Sequence, residues 1–551
     1  MSRLAERLAR REILALAPFD LAPRSGASGE NAVRLDANEC PFPALIDGPL
    51  ASELNRYPEP QPAALRARLA AVYGAPSSNV LVTRGGDDAI DILIRAFCRP
   101  GQDAVVVCPP TFSAYAHFAM LQGARVLDVP LDPTFAADSQ AILSTTRDDG
   151  RVKIVFLCSP NNPTGTVIPP HAVLQLAAEL PDTLIVLDEA YIEFADIESL
   201  AAMAAKSSNL VVLRTLSKAW GLASARVGAL IGPEDVLALA ARTLPPYPMP
   251  GPSVAAAMLA LSPARRPLFE DRIALMRSER ARMARLLAIS PWLDSVLEGQ
   301  SNFLFLRPRS LEDLRARLSA RGISARLRSN WRGDAVRLTI GTPAENDLAL
   351  AAFGVTEPSS ATRRAEVTRD TRETRIALVV DLDRAEPRRI RTGVGFYDHM
   401  LEQVAAHAGI SLVLECEGDL EIDAHHTVED CALALGAALK QALGQRKGIA
   451  RYGFVVPMDE AEAAISLDLS GRPYCRFEGE FAVEKIGEYP TALTAHVFRS
   501  LADSLGASIH LRVSGQDDHH KTEACFKALG RALRQAVRVE GGDVPSTKGV
   551  L

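Results

Sequence analysis

The chain has 551 residues, a formal net charge of -6 and an aromatic content of 5%. That length exceeds what a single hydrophobic core usually supports, so two or more domains are expected. Acidic and basic residues are interspersed and aromatics are few, which excludes the basic stripe and stacking surface of a nucleic-acid-binding protein. No run of about 18 apolar residues occurs, so no membrane span is predicted.

The N-terminal stretch, MSRLAERLARREILALAPFD, is basic and amphipathic. It lacks the continuous apolar region and small-residue cleavage site of a secretory leader, which favours a surface helix over a targeting peptide. The eight cysteines are scattered without a CxxC pair, and several lie inside apolar runs. Such cysteines are typical of buried reduced thiols, so a cytoplasmic location is expected.

Between about residues 75 and 355, short apolar runs such as KIVFLCSP, TLIVLDEA and NLVVLRT alternate with longer helical patterns. Continuous apolar strands indicate a mostly parallel sheet covered by helices on both faces, so residues 1–356 are predicted to form an α/β domain. Polar residues and proline at 355–366 predict a linker at 357–364. Beyond it, residues 365–551 are predicted to form an internally duplicated α+β domain, because strands alternate with helical segments there and one His-His motif recurs, at His425 and at His519.

Three motifs of the first domain carry complementary chemistry: SPNNPTG (159–165), LDEAY (187–191) and RTLSKAWGLASARVG (214–228). Each follows an apolar strand, and ligands of open α/β sheets bind at the carboxyl ends of strands. A pyridoxal phosphate site needs a Schiff-base lysine, a carboxylate for the ring nitrogen, donors for the ring oxygen and a phosphate cradle. These motifs offer a candidate for every one of those groups.

The same motifs resemble the fold-type I pyridoxal phosphate aminotransferases, and further segments narrow the resemblance to the histidinol-phosphate aminotransferase family. Those segments are LDANECPFP (35–43), RYPEPQ (56–61), TRGGDDAIDILIRAFCRPG (83–101) and PPTFSAY (109–115). The resemblance implies that Lys218 forms the Schiff base and moves the proton, while Asp188 pairs with the ring nitrogen. It further implies a homodimer and these cofactor contacts: Asn162 and Tyr191 on the ring oxygen, Tyr115 stacked on the ring, Gly86, Asp87, Ser217 and Arg226 on the phosphate, and Tyr57 reaching the partner's cofactor.

Two arginines are candidates for binding the acidic group of the substrate. Arg337, in VRLTIG, matches the family's C-terminal arginine. A second is expected after GIxx, where Arg326 is favoured and Arg328 is its rival. A guanidinium fork suits either a carboxylate or a phosphate.

A His-His-x-x-Glu pattern occurs twice in the second domain, as HHTVED from His425 and HHKTE from His519. On a helix, positions i and i+4 share a face while i+1 points about 100° away. His425 and Glu429 could therefore bind one metal while His426 faces another, and His519, Glu523 and His520 repeat this arrangement. His399 and His496 are the candidates to complete two sites of three histidines and one glutamate, which suits a first-row metal such as Mn²⁺.

Residues 363–551 resemble imidazoleglycerol-phosphate dehydratase through TGVGFYDHML (392–401), GDLEIDAHHTVED (418–430), LDLSGRPY (467–474) and the second His-His motif. The resemblance implies a metal-dependent dehydratase whose family forms high-order assemblies. Glu373 is the candidate for proton transfer, with a surface glutamate as the alternative, and His407 is either a substrate contact or a core residue. The implied substrate and phosphate contacts are Arg451, Arg472, Lys527, Ser546 and Lys548.

Together the two domains predict a bifunctional enzyme of histidine biosynthesis. Its C-terminal domain would dehydrate imidazoleglycerol phosphate to imidazole acetol phosphate, and its N-terminal domain would transaminate that ketone with glutamate. The alternative is an aromatic or aspartate-type aminotransferase of broad specificity, fused to a metal-binding domain that serves only in assembly.

Overall fold

A computed structural model describes residues 3–16, 57–355, 363–453 and 456–541. Contacts divide the chain into two units, residues 1–261 with 273–358 and residues 262–272 with 359–551. Most of the predicted linker and the LDANECPFP motif lie outside the described residues. In the described parts, no helix is both long and apolar enough to cross a membrane.

The first unit contains a seven-stranded sheet with the order β1-β7-β6-β5-β4-β2-β3. Only β7 runs antiparallel to its neighbours. The central strands are buried along their full length, as their continuous apolar sequences predict. The strands are β1 (Val80–Thr83), β2 (Ala104–Val107), β3 (Arg125–Asp128), β4 (Val152–Cys158), β5 (Leu184–Asp188), β6 (Leu210–Thr215) and β7 (Gly228–Ile231).

A smaller antiparallel sheet, ordered β10-β11-β9-β8, follows in the same unit. Its strands are β8 (Leu293–Leu297), β9 (Phe303–Pro308), β10 (Arg326–Arg328) and β11 (Ala335–Thr339). The basic N-terminal stretch forms two short helices, and Leu4, Leu8 and Ile13 are buried. Helices up to residue 352 are α1 (Arg3–Leu8), α2 (Arg11–Ala15), α3 (Ala63–Tyr73), α4 (Gly85–Phe97), α5 (Ala114–Gln122), α6 (Ser139–Asp149), α7 (Pro170–Glu179), α8 (Ala201–Ala204), α9 (Glu234–Ala241), α10 (Gly251–Ala260), α11 (Arg266–Leu287), α12 (Leu311–Ser319) and α13 (Pro343–Ala352).

The second unit is an α+β structure built on two sheets with the orders β12-β13-β15-β14 and β16-β18-β22-β19. Its strands are β12 (Arg364–Asp370), β13 (Thr374–Asp381), β14 (Arg388–Arg391), β15 (Ser411–Gly418), β16 (Tyr452–Gly453), β17 (Val456–Met458), β18 (Ala461–Asp468), β19 (Tyr474–Glu478), β20 (Lys485–Ile486), β21 (Tyr489–Pro490) and β22 (Ser508–Ser514). Its helices are α14 (Gly395–Ala408), α15 (His425–Leu443), α16 (Leu493–Leu505) and α17 (Asp518–Ala536). A single apolar cluster joins residues of both sheets and all four helices.

The two halves of this unit share one topology. In each, an antiparallel pair is joined by a third antiparallel strand and by a fourth strand that runs parallel to the third. Helices α14 and α15 in the first half correspond in order to α16 and α17 in the second. This is the arrangement that a duplicated sequence would produce, although the duplication itself stays a prediction.

The two sheets differ in how far their strands are buried. Strands β18 and β22 alternate between buried and more exposed residues, as half-buried strands do. Strand β13 is instead buried at nearly every position. On its opposite face, Ala377 and Val379 form a second small buried cluster with Val413 of β15 and Leu268 of α11, and this cover explains why β13 does not alternate.

Candidate active sites

The motifs of the first unit meet at one cavity of about 230 Å³. Strands β4 and β5 are parallel and end at paired residues, Cys158 and Asp188, so the segments that follow them emerge side by side. The segment after β6 and the first turn of α4 close the cavity. Its lining includes Gly86, Asp87, Phe112, Asn162, Asp188, Tyr191, Thr215, Ser217, Lys218, Arg226 and Arg337.

Asp188 and Lys218 form the polar centre of this cavity. Asp188 is 4% exposed, its Oδ1 accepts the backbone N–H of Ala190 at 3.0 Å, and its Oδ2 accepts the Tyr115 hydroxyl at 2.6 Å. Burial raises the pKa of Asp188, while Tyr115 and the Lys218 ammonium oppose that rise. Burial, together with the positive charge of Arg337, lowers the pKa of Lys218, which favours the neutral amine that a nucleophile requires.

One end of the cavity is suited to an anion. Gly86 and Asp87 lie in the first turn of α4, where free N–H groups and the helix dipole favour negative charge. The Arg226 guanidinium lies 3.1 Å from an Asp87 oxygen and 3.4 Å from the Ser217 hydroxyl. A Cβ on Gly85 would lie 2.8 Å from that guanidinium, and Gly85 has φ of +82°, so glycine is required there. These donors fit the phosphate of the predicted cofactor.

Tyr115 does not line the cavity, in contrast to its predicted role of stacking on the cofactor ring. It is fully buried and stacks on Phe156, with centroids 4.9 Å apart and planes 5° apart. Phe112, three residues earlier in PPTFSAY, lines the cavity and meets Tyr115 edge-on at 5.6 Å. Of the two aromatic rings in PPTFSAY, the one that lines the cavity is therefore Phe112 and not the predicted Tyr115.

The substrate arginines lie on the small sheet. Arg337 donates to Asn162 Oδ1 at 2.5 Å and lines the cavity. In the register of β10 and β11, Arg326 lies directly opposite Arg337, whereas Arg328 lies opposite Ala335. Directly opposed residues share a face of the sheet and lie closest to each other, which favours Arg326 over Arg328 as the second arginine.

Tyr57 is 50% exposed and stacks on Tyr247 with ring centroids 4.4 Å apart. It is not among the residues that line the cavity of its own chain. Its exposure is compatible with the predicted contact to a partner subunit, which remains a prediction.

In the second unit, His425, Glu429 and His496 form a candidate metal-binding triad. Their ligand atoms all lie within 4.8 Å of one another. His425 and Glu429 are one turn apart at the start of α15, with His425 Nε2 3.6 Å from a Glu429 oxygen. His496, on α16, places its Nε2 3.3 Å from the other oxygen of Glu429.

A second triad consists of His399 on α14 with His519 and Glu523 on α17. His519 Nε2 lies 3.6 Å from one oxygen of Glu523, and His399 Nε2 lies 3.9 Å from the other. In both triads a glutamate one turn after the first histidine lies between two imidazoles, as the repeated motif predicts. Imidazole and carboxylate donors of this kind suit Mn²⁺ and other first-row metals, so the residues fit the predicted ions.

His426 and His520, the remaining members of the two motifs, point away from both triads. His426 Nδ1 lies 3.1 Å from Asp419, while its Nε2 lies 3.7 Å from Glu373. His520 Nδ1 lies 2.9 Å from Glu460, and its Nε2 lies 4.0 Å from Asp459.

These carboxylates raise the pKa of both imidazoles. The pKa of Glu460 is lowered to about 2, chiefly by the backbone N–H of Asp517 and then by His520. A carboxylate on Nδ1 fixes the ring and leaves Nε2 as the outward metal-binding atom. Within one chain, each triad therefore has two of the three predicted histidines.

The predicted substrate contacts of this unit lie in different surroundings. Lys527 Nζ is 2.9 Å from Glu523, which lies one turn earlier on α17. His407, on α14, packs against α17. Burial and the positive charge of Lys527 lower the pKa of His407. Arg451 is paired with Asp468 at 2.6 and 3.0 Å. Arg472 is exposed before β19, whereas Ser546 and Lys548 lie outside the described residues.

Several candidate residues were missed by sequence reasoning. They are Phe112 in the cofactor cavity and Asp419, Asp459 and Glu460 beside the outward histidines. Asp419 lies inside a motif already quoted, GDLEIDAHHTVED, but nothing in its spacing shows which histidine nitrogen it meets. The acidic pair at 459–460 lies in the turn between β17 and β18, whose proximity to α17 is a tertiary contact.

The fold and the first cavity define a fold-type I aminotransferase, followed by a separate α+β domain that carries the two triads of histidine and glutamate. Residues 29–353 match the family described as Aminotransferase class I and II, and residues 392–533 match Imidazoleglycerol-phosphate dehydratase. The chain belongs to the class I and II aminotransferases and carries an imidazoleglycerol-phosphate dehydratase domain.

Similar proteins support both assignments. Histidine biosynthesis bifunctional protein HisB of Stenotrophomonas maltophilia (strain K279a) is 56% identical over 193 residues, which cover 35% of this chain and 54% of that protein. The protein of the same name from Actinobacillus pleuropneumoniae serotype 3 (strain JL03) is 56% identical over 34% of this chain and 52% of its own length. The chain thus spans about half the length of these relatives, over its dehydratase part.

A solved structure matches the other part of the chain. Histidinol-phosphate aminotransferase from Sinorhizobium meliloti, in complex with pyridoxal-5'-phosphate, superimposes with a TM-score of 0.50 and 27% identity. The match covers 54% of this chain and 82% of that protein.

Proposed function

We propose that the chain is a bifunctional enzyme of histidine biosynthesis that acts in the cytoplasm. The C-terminal domain dehydrates imidazoleglycerol phosphate to imidazole acetol phosphate, and the N-terminal domain converts that ketone to histidinol phosphate with glutamate as amino donor. The observation that carries this proposal is the presence, on one chain, of an imidazoleglycerol-phosphate dehydratase domain and an aminotransferase domain similar to a histidinol-phosphate aminotransferase, since those two enzymes would have consecutive substrates. Each domain thereby supports the substrate assigned to the other.

The cavity of the first domain supports binding of pyridoxal 5'-phosphate. When bound, the cofactor would act as an electron sink for the substrate carbon. Lys218 would attach it and then move the proton at the substrate carbon, since burial lowers the pKa of its amine. Asp188 would hold the ring nitrogen, Asn162 and Tyr191 would hold the ring oxygen, and Phe112 would cover a ring face.

Two separate groups of donors would bind the anionic groups at this site. The first turn of α4, with Ser217 and Arg226, would bind the cofactor phosphate. Arg337 and Arg326, which lie opposite each other on β11 and β10, would bind the acidic groups of the substrate. Tyr57 would complete the site of a partner subunit, so the N-terminal domain would act as a homodimer.

The two triads of the second domain support binding of two Mn²⁺ ions per dehydratase site. Bound ions would hold the substrate imidazole in a form that favours loss of the neighbouring hydroxyl. Glu373 faces the Nε2 side of His426 from the turn between β12 and β13, so it would transfer the proton. Arg451, Arg472, Lys527, Ser546 and Lys548 would hold the phosphate, and His407 would lie beside them.

Each triad lacks the third histidine of a three-histidine, one-glutamate site, while His426 and His520 direct Nε2 away from both triads of their own chain. We therefore assign these two histidines to the triads of neighbouring copies. The dehydratase site is then shared between chains, which requires the high-order assembly predicted for this domain.

A two-step assay from imidazoleglycerol phosphate and glutamate tests the proposal. Lys218→Ala is expected to abolish formation of histidinol phosphate while imidazole acetol phosphate accumulates at the normal rate. His425→Ala is expected to stop dehydration while transamination of supplied ketone continues. Loss of dehydration in the first variant, or of transamination in the second, would contradict this division of labour.

A comparison of turnover of imidazole acetol phosphate with that of phenylpyruvate, together with a dehydratase assay with and without added Mn²⁺, distinguishes the alternative function. An enzyme that turned over phenylpyruvate better than imidazole acetol phosphate, with no Mn²⁺-dependent dehydration, would be a broad-specificity aminotransferase joined to an assembly domain.

A further inference from the structure

Tyr115 lies behind the wall of the cavity and hydrogen-bonds to Asp188, the carboxylate at its centre. The ring is fully buried, stacked on Phe156 and in edge contact with Phe112. These two contacts hold the plane of the ring. The Tyr115 hydroxyl lies 2.6 Å from Asp188 Oδ2 and also neighbours the Cys158 thiol.

Tyr115 is the donor of this hydrogen bond and Asp188 is the acceptor. Burial and the neighbouring Asp188 carboxylate raise the pKa of Tyr115 well above its ordinary value, so the phenol keeps its proton and donates it to the carboxylate. The other oxygen of Asp188 accepts the backbone N–H of Ala190. The Asp188 carboxylate thus receives two donors from the protein, one on each oxygen, and still has lone pairs for the ring nitrogen of a cofactor.

A buried carboxylate facing a pyridine nitrogen can share one proton in two ways. The proton can lie on the nitrogen, which gives an ion pair, or on the carboxylate, which gives a neutral pair. Desolvation favours the neutral pair, whereas donors to the carboxylate favour the ion pair. The cofactor withdraws electrons effectively only with the proton on its nitrogen.

We propose that Tyr115 is a positioning residue that keeps this proton on the cofactor nitrogen by donating a hydrogen bond to Asp188. It acts through Asp188 and touches neither substrate nor cofactor. The proposal rests on the proposed function, because it requires that the cavity bind pyridoxal phosphate with Asp188 at the ring nitrogen.

Tyr115→Phe removes the hydroxyl and keeps the ring. Tyr73→Phe is the matched control, because Tyr73 is also a buried tyrosine of the first unit and its hydroxyl makes no hydrogen bond among the described residues. Each protein is prepared as the full chain without cofactor and is then titrated with pyridoxal phosphate. The ring nitrogen is observed by NMR with ¹⁵N-labelled cofactor, and single-turnover kinetics with glutamate follow.

In Tyr115→Phe, the ¹⁵N resonance is expected to move towards that of neutral pyridine, and the Kd for the cofactor to rise about tenfold, as for loss of a hydrogen bond to a charged group. The kcat of the glutamate half-reaction should fall by about tenfold or more, with a much smaller change in KM. Tyr73→Phe should match the wild type in all three measurements.

A Tyr115→Phe protein whose ring nitrogen stays protonated, with a Kd equal to that of Tyr73→Phe, would overturn the proposal. Asp188→Asn separates this outcome from failure of the cofactor site itself. If Asp188→Asn also left the ring nitrogen protonated, or if the wild type bound no cofactor, the proposed function would be wrong rather than the role of Tyr115.

Discussion

The two active regions of this chain are built on different principles. In the first unit, residues that follow parallel strands converge on one cavity, and a single chain supplies the lysine, the carboxylate and the anion-binding helix turn. In the second unit, the donors lie on helices, and one histidine of each motif turns outward. A site at strand ends gathers its central groups from one chain, even where a residue such as Tyr57 reaches it from a partner, whereas a site on helix surfaces readily places some of its donors towards a neighbour.

The largest effect is expected from variants that test whether the outward histidines bind metal at the triads of neighbouring copies. His520→Ala keeps the triad of His425, Glu429 and His496 intact, whereas Glu429→Gln disrupts that triad and keeps His520. Each variant alone is expected to lose nearly all dehydratase activity. When the two proteins are dissociated, mixed in equal amounts and reassembled, about a quarter of the sites should combine an intact triad with an intact His520.

Recovery of that fraction of the Mn²⁺-dependent dehydratase rate is the measurement. Two portions of one variant, treated in the same way, are the control and should stay inactive. If the mixture also stayed inactive while its assembly re-formed, His520 would act within its own chain. The contrast between a site whose central groups come from one chain and a site whose metal ligands come from several would then disappear.

The next effect in size concerns what holds the strand-end site in place. Arg214, on β6, is 5% exposed and lies 2.6 Å from Glu193 and 3.5 Å from Glu189, the residue after Asp188. Arg214→Met leaves the buried Glu189 and the half-buried Glu193 without their cation, which should lower the free energy of unfolding of the first unit by about 3–5 kcal/mol. All three tryptophans, at 220, 292 and 331, lie in this unit, so urea unfolding followed by their fluorescence reports on it alone.

Arg309→Met provides the control for Arg214. Arg309 pairs with Asp294 at 3.5 Å, but both side chains are well over half exposed, so the change should cost less than about 1 kcal/mol. Dehydratase activity should be unaffected by either substitution. Equal destabilisation by the two variants would show that the buried network has no special part in supporting the LDEAY segment.

The sequence predicted the chemistry of both regions better than it predicted their geometry. Lys218, Asp188 and the two His-His-x-x-Glu motifs could be predicted because each is a short local pattern whose chemistry demands particular side chains. The choice between Phe112 and Tyr115 could not, since both rings lie in one motif and only the packing of Tyr115 on Phe156 decides it. The partners of His426 and His520 come from separate loops, so they depend on tertiary contacts that no local spacing encodes.

Smaller effects are expected from the carboxylates behind the outward histidines. Asp419→Asn and Glu460→Gln keep the size of each side chain but remove the charge that orients His426 and His520. Affinity for Mn²⁺, measured by titration of the metal-free protein, should fall about 10- to 100-fold in each case. Glu478→Gln, which affects an exposed carboxylate paired with Arg512, should leave the affinity unchanged.

The smallest effect distinguishes the two arginines of β10. Arg326 lies opposite Arg337, and Arg328 lies two residue pairs further along the strands, opposite Ala335. Arg326→Ala should raise the KM for imidazole acetol phosphate about tenfold, because a charge-assisted hydrogen bond to phosphate is lost, while Arg328→Ala should change it by less than about threefold. Equal effects would mean that the substrate phosphate spans both positions, and the strand-end site would then extend further over the small sheet than its opposed arginines indicate.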